Sequence, residues 1–127
     1  MRPIDKLKNQ VLLFASSADV QVDSYPEGVC VGDESALDFD EALRSARTEL
    51  APNQIQAVER LDEYILSVSG ADFEDLWLDQ TKLRFDERWE TIRSLAKEML
   101  VEMGWQYETP VKNVATYVFA DSVVENK

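Results

Sequence analysis

The stretch DERWETIRSLAKEMLVEMG, residues 86–104, decides the fold class of this chain. Trp89, Ile92, Ala96, Met99 and Met103 recur at helical spacing on one side, and Leu95 and Leu100 widen the stripe. The pattern predicts a helix from about Asp86 to Met103 that stops at Gly104. A Met and Trp stripe at this spacing reads as packed core, with Trp89, Ile92 and Met99 at its centre, and not as a ligand surface.

Working back towards the N-terminus, Ala71–Leu78 reads as a short helix with Phe73, Leu76 and Trp77 turned inward. Pro52 opens a helix whose Ile55, Val58, Leu61, Ile65 and Val68 share a face, and Gly70 is placed to cap its end. Ser35 as N-cap, with Asp38 three residues on, begins another, striped by Phe39, Leu43, Ala46 and Leu50. Pro3 suits a first helical turn, and Ile4, Leu7, Val11 and Phe14 follow until Ser16-Ser17 breaks the pattern near Ala15. Working forward, Thr109-Pro110 is a helix start and Val111, Val114 and Val118 keep helical spacing, although Val114–Phe119 has strand-like composition. Residues 110–127 are therefore helix or strand, with helix preferred. No repeat or Gly/Ser-rich linker divides the chain. The expectation is one mainly α domain, residues 1–127, a bundle of about five helices.

Residues 18–34 break the helical pattern. Val20-Gln21-Val22 and Val29-Cys30-Val31 flank the turn-like Tyr25-Pro26-Glu27-Gly28, which predicts a long irregular loop or poor hairpin between the first and second helices. Loops of this length without regular structure are often functional.

The charge is uneven. Across 127 residues there are 25 acidic and 13 basic side chains, a net −12, and no histidine. Residues 9–81 hold 16 of the acids against Arg44, Arg47 and Arg60. Such a chain is repelled by nucleic acid and by anionic lipid, so neither is an expected partner. The missing histidine removes Ser-His-Asp and Cys-His catalysis, the usual zinc sets and carboxylate–histidine di-iron sites. Cys30, the only cysteine, cannot form an intramolecular disulfide and has no activating base beside it, so a buried, inert thiol is expected. The apolar run Val11–Ala15 is too short for a signal peptide, and no stretch approaches the ~20 apolar residues of a membrane span. A soluble cytoplasmic protein without cofactor, metal site or catalytic residues is the expectation, its oligomeric state open.

Self-repulsion of a one-sign block costs folding free energy, and solubility is one return for it. Recognition by a basic protein partner is another, because charge complementarity speeds encounter and selects partners. Asp19, Asp23, Tyr25, Glu27, Asp33, Glu34, Asp38, Asp40 and Glu41 are the candidate partner-binding residues. Tyr25 among Asp23 and Glu27 supplies contact area at low entropy cost if it faces outward, and folds back on the core otherwise.

Two carboxylate pairs, Asp38-x-x-Glu41 and Glu59-x-x-Asp62, resemble the E-x-x-E … E-x-x-D arrangement of all-α, MazG-like nucleotide pyrophosphohydrolases, with Asp38 in place of the usual Glu. That resemblance implies four carboxylates pooled around Mg²⁺. A second resemblance carries the preferred reading. The segment Arg88–Leu100, running on to Met103-Gly104-Trp105, is similar in style to a terminal helix of small acidic immunity proteins from bacterial contact-dependent inhibition, polymorphic toxin and colicin systems. Asp23-Ser24-Tyr25-Pro26-Glu27-Gly28 resembles the Tyr-Tyr-Pro region that colicin immunity proteins present to their nucleases, without the paired tyrosine. The resemblance implies a non-enzymatic inhibitor that offers carboxylates to the basic cleft of a toxin, most simply a nuclease. An acidic adaptor or DNA mimic acting on another basic protein is the remaining reading.

Overall fold

The computed structural model describes residues 2–112. Among them are seven α-helices and no strand: α1 (Pro3–Ala15), α2 (Ala18–Asp23), α3 (Val31–Ala46), α4 (Pro52–Ser67), α5 (Glu74–Leu78), α6 (Lys82–Phe85) and α7 (Glu87–Met103). Short 3₁₀ turns, Arg47–Glu49 and Ala71–Phe73, precede α4 and α5. The chain is all-α, and the helix preferred over strand for residues 110–127 falls largely outside the described residues. Its described beginning, Pro110–Lys112, is not helical.

α7 is the helix read from residues 86–104. Asp86 caps it by accepting from the Arg88 backbone N–H at 2.8 Å. Gly104, left-handed at φ 73°, turns the chain so that the Trp105 N–H reaches the Leu100 carbonyl at 2.9 Å. Trp89, Ile92, Ala96 and Met99 are buried as expected. α1 packs against both α3 and α7, α4 lies on α7, and α5 lies on α3. A chain of aromatic rings runs through this core. Phe39 meets Phe14 at 5.4 Å, Phe14 meets Trp89 at 6.1 Å, and Trp89 meets Trp77 edge-on at 5.3 Å.

The loop expected at residues 18–34 is corrected. Ser17 does end the α1 pattern, but its hydroxyl also caps α2, accepting from Val20 N–H at 3.4 Å. Gln21 anchors that helix. Its buried amide donates to the Leu13 and Phe14 carbonyls and accepts from Arg93 at 3.1 Å. Alternating Val20 and Val22 imitate a strand, while the residue that buries the turn is polar and invisible to a hydropathy pattern.

α3 begins at Val31, before the Ser35 cap predicted from sequence. Tertiary contact sets this start. Val31 N–H donates to the Gln80 side chain at 3.1 Å, and Gly32 packs so close that a Cβ there would sit 2.6 Å from the Trp77 carbonyl oxygen. Ser35 lies buried inside the helix, donating to the Gly32 carbonyl. Gly70, expected to close α4, instead stands before the next 3₁₀ turn at φ 106°, and α4 ends at Ser67 with Val68 as its C-cap. Cys30 caps α3 half-buried, its thiol donating to the Trp77 carbonyl at 3.3 Å.

Arg93 is the one buried cation among the described residues. Its guanidinium donates to the Ser16 carbonyl, to the Gln21 side chain, to the Leu83 carbonyl and to Glu90. It thereby ties α7 to the α1–α2 junction and to α6. Residues 105–112 return along α1, where Val111 exchanges two hydrogen bonds with the Asn9 side chain and the Tyr107 hydroxyl meets Ser16.

Candidate functional site

The nine candidate residues do not form one surface. Asp19 and Asp23 are exposed, but Arg84 pairs with the first and Lys112 lies 3.4 Å from the second. Glu27 is exposed beside them in sequence. Tyr25 is only 5% exposed, and its hydroxyl donates to Asp38 Oδ2 at 2.7 Å. Of the two orientations open to this ring, the inward one is adopted, so Tyr25 offers no anchor to a partner.

The remaining acids belong to α3. Asp33 and Glu41 are exposed, and Glu34, Asp38 and Asp40 are half-buried. One Glu34 oxygen, Oε2, is buried with no hydrogen-bond partner among the described residues. Burial holds the Asp38 carboxyl above its ordinary range, and Glu34 and Glu41 add to this while the Tyr25 hydroxyl opposes it. Asp40 takes Arg44, four residues on.

Asp33 and Asp40 also line a groove of about 410 Å³ between α3 and α4, closed at one end by α5. Ala36 and Leu37 continue the α3 wall, while Asp62, Ile65, Leu66 and Ser69 form the α4 wall. The α3 wall is one helix face repeated at i, i+3, i+4 and i+7, and the α4 wall is a helix face continued by Ser69 just past the helix end. Phe39, Ile65 and Trp77, all buried, make the floor. The Trp77 indole N–H is satisfied by the Val68 carbonyl at 2.9 Å, which fixes the ring. Leu37, Leu66 and Leu78 stand at the rim, each more than half exposed. Asp62 is pushed above the usual carboxylate range, first by burial and then by Asp40, with Arg47 a partial counterweight. Glu74 adds a further exposed carboxylate at the α5 end.

The candidate list thus lacks Asp62, Glu74 and the rim leucines. Leu37 and Leu66 carry a sequence signal, since each falls outside the stripe that buries its helix. The four carboxylates of the pyrophosphohydrolase resemblance are not pooled. Among the described residues no three Asp, Glu or Cys side chains gather as a metal would require. No described helix is long and apolar enough to cross a membrane.

Fold and site together define an all-α domain with an apolar groove rimmed by carboxylates. No family model matches the chain, and neither a curated protein nor a solved structure matches it.

Proposed function

We propose that this protein is a non-enzymatic inhibitor of the immunity-protein kind, which binds and neutralises a basic toxin domain, most simply a nuclease, through the α3–α4 face. The observation that carries this reading is the concentration of carboxylates there. Asp33, Asp40, Asp62 and Glu74 line its groove, with Asp62 disfavoured in its charged form, while Glu34, Asp38 and Glu41 extend the negative charge round the adjacent side of α3. A cationic surface brought against these carboxylates offsets the cost of keeping them charged. A nuclease cleft built for phosphates supplies such a surface.

The test uses a panel of basic bacterial nuclease domains, with plasmid cleavage and binding kinetics as readouts. Stoichiometric inhibition of one member is expected, with association slowing as the Debye length shrinks from ~30 Å at 0.01 M salt to ~8 Å at 0.15 M. Asp33→Lys and Asp40→Lys lower the on-rate. Binding that ignores both salt and these reversals overturns the reading.

A further inference from the structure

The groove between α3 and α4 adds something that charge alone does not. Both walls are built on helix faces: Asp33 to Asp40 on α3 spans two turns, about 10 Å, and on α4 Asp62, Ile65 and Leu66 are continued by Ser69 just past the helix end. Two helix-borne walls with an apolar floor between them suit a third helix, which packs by placing its own ridge in such a channel. Leu37 at 57%, Leu66 at 64% and Leu78 at 55% exposure leave the rim apolar and open. Asp33, Asp40, Asp62 and Glu74 surround that rim. A second copy of this chain would bring another net −12 to the same place.

We propose that the groove receives an amphipathic helix of the basic partner, with an apolar side chain seated on Phe39, Ile65 and Trp77 and Lys or Arg side chains beside Asp40 and Asp62. This rests on the inhibitor reading above and specifies what the partner inserts. The buried, fixed floor is the anchor pocket. The carboxylates choose the sign of the residues that flank the anchor.

The experiment titrates the isotopically labelled chain with a Leu/Lys peptide of about 18 residues, long enough for an amphipathic helix, and with a scramble of identical composition that lacks helical periodicity. Amide shifts and affinity are read by NMR. The amphipathic peptide binds roughly tenfold tighter or better, with the largest shifts at Leu37, Asp40, Asp62, Leu66 and Leu78. Leu66→Asp and, on the opposite wall, Leu37→Asp each abolish that preference and leave scramble binding unchanged. Both leucines are exposed, so the pair guards against misfolding of either variant, and Val101→Asp on α7 is the control. Equal affinities, or shifts spread over all exposed carboxylates, overturn the groove proposal while salt-dependent binding keeps the inhibitor reading. A chain that binds neither peptide at low salt defeats both. A concentration-dependent dimer broken by Leu66→Asp gives the groove to a second copy and also overturns the proposal.

Discussion

Around α6 and α7, Lys82, Arg84, Arg88 and Arg93 each meet a carboxylate, whereas on α3 and α4 the carboxylates outnumber the cations within reach. In the first region charge is a structural material. Arg93 replaces backbone partners that α1 and α6 lack, and Asp86 both caps α7 and grips Arg88 through two further hydrogen bonds. In the second region burial, with neighbouring carboxylates adding to it, opposes ionisation and raises the Asp38 and Asp62 carboxyls above their ordinary range. Removing a charge should therefore destabilise the one and spare the other.

The largest expected effect is at Arg93. Arg93→Ala orphans the buried Ser16 and Leu83 carbonyls and the Gln21 oxygen, at ~1–3 kcal/mol for each unsatisfied group. A total loss of about 3–5 kcal/mol is expected in urea melts. A loss under about 1 kcal/mol would mean that water takes over its role. Ile92→Ala, on the same helix but without charge, should cost ~2–5 kcal/mol through lost burial and a cavity. Gly32→Ala should cost about 1–3 kcal/mol by forcing α3 away from the Trp77 carbonyl. An unchanged midpoint would show the α3–α5 contact to be loose.

Smaller effects sharpen the contrast. Asp86→Ala should remove about 1 kcal/mol of capping at neutral pH. The Asp86 carboxyl is lowered to about 2, chiefly by its hydrogen bonds to Arg88. Its folded form binds the proton less readily than the unfolded form, so its contribution is present above the ordinary carboxylate range and is lost as pH falls towards 2. The variant's melting curve should converge on the parent's in acid. Asp62 has the opposite sign. Its carboxyl is raised, so the native state takes up the proton first and stability rises as pH falls through the raised value. Asp62→Asn should change stability at pH 7 by no more than about 0.5 kcal/mol, on the stabilising side. A clear destabilisation would place Asp62 among the structural charges and break the comparison.

Legibility in the sequence follows the same divide between apolar and polar anchors. α7, the Pro3 and Pro52 starts and the Gly104 stop are legible because apolar period and cap residues agree there. α2 and the first turn of α3 are not, because they are held by Gln21 meeting Arg93, by Gln80 meeting Val31 and by the absence of a side chain at Gly32 against Trp77, all partners distant in sequence. The acidity of α3 is legible as charge. The groove is not, since it exists only where α3, α4 and α5 come together. Tyr25 shows the limit plainly: the same residues permit an outward anchor or a core ring, and only its 2.7 Å bond to Asp38 in the folded chain decides.

The floor of the groove has an optical consequence. Trp77 faces the groove while its ring lies edge-on to Trp89, which is wholly sealed from solvent. Two indoles 5.3 Å apart exchange excitation, so they absorb and emit as a coupled pair. Because the pair shares its excitation, its emission responds both to the polarity of whatever occupies the groove and to the intactness of the core. The unlabelled chain therefore carries its own spectroscopic gauge, and Trp77→Phe removes the part of the signal that answers to the groove.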